Sequence, residues 1–409
     1  MQTLRINSSR IQKDFDELAQ IGATGDGGVN RPTFSESHLA ARAWFRERTL
    51  ADGLEFRQDA AGNHSAILRA HQPDAKTLLL GSHLDSVPNG GRFDGALGVL
   101  AALEVLRTVK EAGLDLPVHL EAIDFTDEEG TLIGLMGSQA LIGKLSPAEL
   151  AKPRGGRAPF EEGLTRAGLD EAAIPSAARS RESLVAFLEI HIEQGPRLQT
   201  SKCDIGIVTN IVGINANKLT FTGRADHAGT TPMDARRDAG LGAATLMLRA
   251  REEVMRDFQN CVINFGQISF SPGAYNIVPE RAELAMEYRA PSQLELEMLK
   301  SRLIDIAQQT AQQLNLKLES EESGCVRATP CSLKVQDAFT AACNTLNLRA
   351  TRLTSGAGHD TMSLAQITPS GMIFIPSTGG SHNPGEFARW EDCVSGANVL
   401  LQAALELAK

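Results

Sequence analysis

The chain has 409 residues, 42% apolar and 22% charged, with a formal net charge of −10. That length exceeds one ordinary core and predicts two domains of roughly 100–250 residues each. The acidic balance argues against nucleic acid, which draws a basic face, but a few local cations can still hold a small anionic substrate.

The N-terminus, MQTLRINSSRIQKDF, lacks an apolar signal core. No apolar run approaches the roughly 20 residues of a membrane span. A cytoplasmic protein without a membrane partner is therefore expected. The cysteines Cys203, Cys261, Cys325, Cys331, Cys343 and Cys393 form no CxxC pair. They are expected to be reduced and mostly core-filling.

In chain order, 34–54 and 95–112 read as helices, and strand-like runs alternate with them at 65–69, 77–81, 118–125, 184–190 and 372–376. Such alternation predicts an α/β layered domain. The middle of the chain reads differently. A strand at 218–222, a helix at 235–257, strands at 262–270 and 282–289, a helix at 293–314 and a strand at 316–320 give the order β-α-β-β-α-β, a small ferredoxin-like unit. The expected division is 1–213 with 328–409 for the large domain and 214–327 for the insertion.

Four strands of the large domain run into chemically active residues. The first of these, 77–81, leads to Ser82-His83-Leu84-Asp85, and 118–125 leads to Thr126-Asp127-Glu128-Glu129-Gly130. The run 184–190 leads to His191-Ile192-Glu193-Gln194-Gly195, and 372–376 leads to Ser381-His382-Asn383-Pro384. In open α/β sheets ligands bind beyond the carboxyl ends of the strands. Asp94, in GGRFDGALG, lies just before a helix. Each motif alone is weak: a lone HxD, acidic run or strand histidine is commonly structural or solvated. Together they form a histidine–carboxylate set that suits zinc, manganese, cobalt or nickel. Two such ions sharing one short carboxylate such as Asp94 can activate water and polarise a carbonyl.

The strings HLDSVPNGGRFDGALGVLAALE, FTDEEG, EIHIEQGPRL, GRADHAGTTPM, SGAGHD and SHNPGE resemble the amidase/carbamoylase branch of the dinuclear zinc peptidase superfamily. That branch includes N-carbamoyl-L-amino-acid hydrolases, β-ureidopropionases and allantoate amidohydrolases. The resemblance covers nearly the whole chain. It implies a large α/β metallohydrolase domain with a mixed sheet, interrupted by a ferredoxin-like dimerisation and lid domain. It implies two divalent ions, one on His83, Asp94 and His191 and the other on Asp94, Glu129 and His382. Glu128 would be the general base, and Asp85 would fix the His83 ring.

The resemblance also implies substrate contacts. Gln194 would bind the carbamoyl amide, and Asn276 and Arg289 the substrate carboxylate. Gly358 would add a backbone contact. His227, supplied by the partner subunit of a homodimer, would stabilise the oxyanion. The two domains would close on the substrate by a hinge near 211–214 and 327–330.

Two segments depart from the family pattern. Thr131-Leu132-Ile133-Gly134 stands where many relatives carry an Arg-Phe pair, and Glu287-Tyr288-Arg289 replaces an Asp-x-Arg. These leave the hydrolytic set intact and open the substrate subgroup. The expected activity is release of ammonia and carbon dioxide from an N-carbamoyl-L-amino acid. Allantoate or another ureido acid is the nearest alternative, ahead of a peptidase, an aminoacylase or a non-catalytic scaffold. No G-x-G-x-x-G follows a first strand, so a Rossmann oxidoreductase is not expected.

Overall fold

The structure, a computed structural model, describes residues 3–409. In chain order its strands are β1 Glu55–Gln58, β2 His64–Leu68, β3 Thr77–His83, β4 His119–Phe125, β5 Leu184–Ile192, β6 Ile205–Ile211 and β7 Gly213–Thr222. They continue as β8 Val262–Ser271, β9 Arg281–Ala290, β10 Lys317–Val326, β11 Thr329–Pro330, β12 Ala350–Ser355 and β13 Ser370–Ile375. The chain divides into two compact units. Among the described residues one comprises 3–209, 331–353 and 358–409; the other comprises 210–330 with 354–357.

The first unit is built on a large mixed sheet of order β1-β2-β4-β3-β5-β13-β6-β11, with β12 also on β6. Its centre, β4-β3-β5-β13, is parallel. Parallel strands are buried on both faces, which explains the unbroken apolar runs of β3 and β13; β4 and β5 interrupt theirs with buried Glu121, Asp124 and Glu189. On β3, Leu78 and Leu80 enter one core with the helices Ala96–Glu111 and Trp390–Leu407. Leu79 enters a second core with Ile123, Phe125 and Phe187. The helix Ala96–Glu111 is buried from Ala96 through Val109, so it shows little amphipathic period.

The second unit is a four-stranded antiparallel sheet of order β10-β7-β9-β8. The helices Ala239–Asp257 and Gln293–Gln313 share a core with it through Leu246, Leu299, Leu303, Phe221, Leu284 and Met286. Two strands run longer than their apolar pattern suggests. The run at 218–222 starts at Gly213, and the run at 316–320 continues to Val326. The extensions carry Asn215, Asn217 and Glu322, with Asn217 opposite Glu322. The backbone ladder persists there, with polar Asn215 and Asn217 in the buried positions of β7 and an exposed run in β10.

The six cysteines are unpaired; Cys261, Cys331, Cys343 and Cys393 are buried, and Cys325 is exposed. Among the described residues no helix is long and apolar enough to cross a membrane.

Candidate metal centre

The site grows from the carboxyl edge of the parallel strands. In-register pairing sets His83 opposite Phe125 on β3 and β4, and His191 opposite Phe374 on β5 and β13. The residues that follow these strands therefore reach one edge of the sheet. Asp94 arrives from another direction, just before the helix Ala96–Glu111. Gly95 makes that turn at φ +64, and a Cβ there would meet the His83 ring at 2.4 Å. Only glycine allows so close an approach.

His83, Asp94 and His191 present ligand atoms within 4.8 Å of one another, and so do Asp94, Glu129 and His382. Asp94 belongs to both groups. Its Oδ1 lies 3.0 Å from His191 Nε2 and 3.6 Å from His83 Nε2. Its Oδ2 lies 3.6 Å from His382 Nε2, and Glu129 Oε2 lies 3.4 Å from that same nitrogen.

The neighbours set the tautomers. His83 Nδ1 lies 3.0 Å from the Asp85 carbonyl oxygen, and His191 Nδ1 lies 3.0 Å from that of Ile192. Each Nδ1 carries the proton in such a bond, so each Nε2 turns a lone pair toward Asp94. Glu129 Oε1 is buried with no hydrogen-bond partner. Lone pairs facing lone pairs, with an orphaned carboxylate oxygen beside them, call for a cation. Imidazole and carboxylate donors of this kind fit divalent transition metals.

Burial raises Glu128 well above the usual carboxylate range, with Asp360, Glu129 and Asp85 adding to the rise and His83 opposing it. Burial and Asp94 push Glu129 up to about 8. Burial would also raise Asp94, but the imidazoles of His191 and His83 hold it well below its ordinary value. Glu128 Oε2 lies 3.5 Å from His83 Nε2.

Asp85 acts on the glutamate loop more than on the His83 ring. Its carboxylate is 3.7 Å from His83 Nδ1, farther than its own backbone carbonyl. The carboxylate instead accepts the N–H of Glu128 at 3.3 Å and of Glu129 at 3.2 Å. Asp127 opens this loop at φ +57 and accepts from the amides of Leu132 and Ile133. Gln194 and His382 also have left-handed backbone, at φ +59 and +57. Non-glycine residues seldom adopt that region, and its cost is characteristic of sites whose geometry the fold enforces. Gln194 Nε2 donates to Asp94 Oδ2 at 2.8 Å and to Ser381 Oγ at 3.0 Å.

In the second unit, His227 and Asn276 share one end. The Ala228 N–H donates to the Asn276 carbonyl at 3.0 Å, and His227 bridges to Ile277. His227 Nδ1 accepts from Gly229 N at 3.1 Å and Thr230 N at 3.2 Å. The ring proton is then on Nε2, which is left as a donor. Arg289 lies at the other end of β9, which begins at Arg281 beyond the Asn276 turn. Eight residues at about 3.4 Å each separate the strand start from Arg289 by roughly 27 Å. Within one chain, therefore, Asn276 and Arg289 do not meet on one carboxylate. The Arg289 guanidinium donates to Glu287 Oε1 at 3.0 Å and to the Gly356 carbonyl at 2.8 Å. Gly356 is two residues before Gly358.

Three further side chains in these segments carry no role in the sequence reading. Glu386 and Ser381 lie within SHNPGE, and Glu189 opens EIHIEQGPRL. Buried Glu189 accepts from Ser82 Oγ at 2.9 Å and Thr361 Oγ1 at 2.7 Å. Burial and Asp94 push Glu386 up to about 7. The only sequence signal for Glu386 and Glu189 is an acidic residue inside an otherwise ligand-bearing string, and Ser381 has none beyond its place beside His382.

The sequence profile of peptidase family M20/M25/M40 matches residues 79–406. The chain is 38% identical over 407 residues to an N-carbamoyl-L-amino acid amidohydrolase of Geobacillus stearothermophilus, covering 99% of each. It is 30% identical over 413 residues to an allantoate amidohydrolase of Bacillus subtilis, covering 100% of this chain and 99% of that one. Among solved structures it is similar to a hydantoinase/carbamoylase-family amidase from Burkholderia multivorans. The TM-score is 0.90 at 32% identity, covering 100% of this chain and 99% of the other.

Proposed function

The chain belongs to peptidase family M20/M25/M40, and on that footing we propose that it hydrolyses the ureido C–N bond of an N-carbamoyl-L-amino acid with two divalent metal ions. The observation that carries the reading is Asp94, whose two oxygens face two separate histidine groups. In this reading His83, Asp94 and His191 hold one ion, and Asp94, Glu129 and His382 the other. When bound, the ions supply Lewis acidity and make a water acidic enough to react near neutral pH.

The chain's own groups do the rest. Glu128 takes a proton from the attacking water and gives it to the leaving nitrogen, which departs as a neutral amine. His227 offers its Nε2–H to the carbonyl oxygen as that oxygen becomes anionic. Arg289 takes the substrate carboxylate with charge-assisted hydrogen bonds, with Gly358 contributing backbone, and Gln194 binds the carbamoyl amide. The products are the amino acid and carbamic acid, which decomposes to ammonia and carbon dioxide.

The reading includes a homodimer. Leu241, Leu248 and Met255 form an exposed apolar stripe along one helix, and Val262, Ile268 and Phe270 are exposed on the edge strand β8. A two-fold axis lets the same patch cover itself. His227 and Asn276 would then serve the partner's site, which reconciles their distance from Arg289. A cytoplasmic location belongs to the same reading, since unpaired cysteines persist in a reducing compartment.

The test is ammonia release from N-carbamoyl-L-methionine, N-carbamoyl-β-alanine and allantoate with manganese or zinc. The fastest turnover is expected on N-carbamoyl-L-methionine. Fastest turnover on allantoate favours the second reading, an allantoate or related ureido-acid hydrolase, which the Bacillus relative supports. No release from any of them refutes both.

A further inference from the structure

Behind the Asp94 pair of ligand groups lies a carboxylate that touches no candidate ion. Glu386 is 4% exposed. Its Oε1 accepts the backbone N–H of Phe93 at 3.2 Å and of Asp94 at 3.1 Å. Its Oε2 lies 2.8 Å from Ser381 Oγ. A Cβ on Gly91 would lie 2.1 Å from the Glu386 carboxyl carbon, so the space is available only because residue 91 is glycine.

Ser381 has one hydroxyl proton and two acceptors within reach: Glu386 Oε2 and, at 3.0 Å, Asp94 Oδ2. Gln194 Nε2 already occupies one lone pair of Asp94 Oδ2, at 2.8 Å, and points at Ser381 Oγ as well, at 3.0 Å. An oxygen of this kind has two lone pairs. Only one remains for the ion shared with Glu129 and His382, and the Ser381 proton would compete for it.

Resting on the two-ion reading, we propose that Glu386 is a positioning residue: it draws the Ser381 proton away from Asp94 Oδ2 and so keeps the second ion's lone pair open. The two backbone N–H groups cannot turn, so the group at 386 must present an acceptor to them. The hydroxyl of Ser381 is the one partner that can reverse. In Glu386→Gln the amide oxygen faces the backbone pair, and the NH₂ faces Ser381 and donates to it. The Ser381 proton is then forced onto Asp94 Oδ2.

The experiment measures bound zinc at a series of buffered free zinc concentrations, with thermal melting recorded for each protein. Wild type is expected to bind two ions. Glu386→Gln is expected to bind one of the two ions about 10–100-fold less tightly, the range typical of outer-shell changes, with the other little changed. Glu386→Gln with Ser381→Ala should regain the lost affinity, because the competing proton is gone. Ser381→Ala alone should bind both ions like wild type. The proposal is overturned if Glu386→Gln holds both ions as wild type does, if the double variant stays as weak as the single one, or if Ser381→Ala alone loses an ion. A wild type that binds fewer than two ions overturns the two-ion reading together with it.

Discussion

Asp94 Oδ1 lies 3.0 Å from His191 Nε2, a nitrogen that also accepts the Gly95 N–H at 3.2 Å. Two acceptors so close are reconciled by a shared cation, either a proton on the imidazole or a metal ion, and the donor set suits a metal ion. Chelation is therefore expected to abolish turnover, and a divalent transition metal to restore it. Asp94→Ala should lose both ions and His382→Ala only one, as read by elemental analysis. Full turnover in metal-stripped protein refutes the mechanism.

Glu128 stands beside the ligands without being placed in either ligand group. Glu128→Gln keeps the shape but cannot take a proton. It is expected to lower kcat by roughly 10²–10⁴-fold with both ions retained. Glu129→Gln should release one ion. If Glu128→Gln sheds metal as well, the two glutamates have been given each other's roles.

Arg289 is held by Glu287 and the Gly356 carbonyl. Arg289→Ala is expected to raise KM for a carboxylate substrate by about 10–150-fold, the equivalent of roughly 1.5–3 kcal/mol. The amidated analogue should be nearly indifferent. Equal losses on both substrates show that the guanidinium does not read the carboxylate.

His227 and Arg289 occupy different ends of the second unit, so a shared site between subunits is expected. Inactive Glu128→Gln mixed with inactive His227→Ala should recover activity, up to about half that of wild type in each mixed dimer. Leu248→Glu, on the exposed stripe, should shift the protein toward monomer in sedimentation and reduce activity together with it. Subunits that exchange without regaining activity rule out the shared site.

Arg42 and Asp124 form a buried pair at 2.8 Å, with side chains 2% and 0% exposed. Arg42 also donates to the Gly62 carbonyl at 2.8 Å and Thr126 Oγ1 at 2.9 Å. Arg42→Ala leaves the Asp124 carboxylate buried without its paired cation, though it still accepts the Leu84 N–H at 2.8 Å, at an expected cost of about 3–5 kcal/mol. Urea denaturation measures it. A loss below about 1 kcal/mol means that water reaches Asp124 when the arginine is gone.

Much of the large unit is legible from residues alone. The strands β3, β4, β5 and β13 are mostly apolar because both faces are buried, and each leads to a histidine or acidic motif. Residue type at a strand end is local information, so His83, Glu128, Glu129 and His191 can be picked out before any packing is known. Longer-range facts could not be read this way. Asp94 and Glu386 are 292 residues apart in sequence yet bonded at 3.1 Å, and neither carries a period or spacing that announces the other. The orientation of the Asp94 oxygens, the carbonyl that takes the His83 proton and the opposite placement of Asn276 and Arg289 depend on how whole elements pack. Side-chain pattern reports which face of an element is buried. Only the assembled sheet and its loops decide which donor meets which lone pair, because hydrogen-bond geometry is set across elements and not along them.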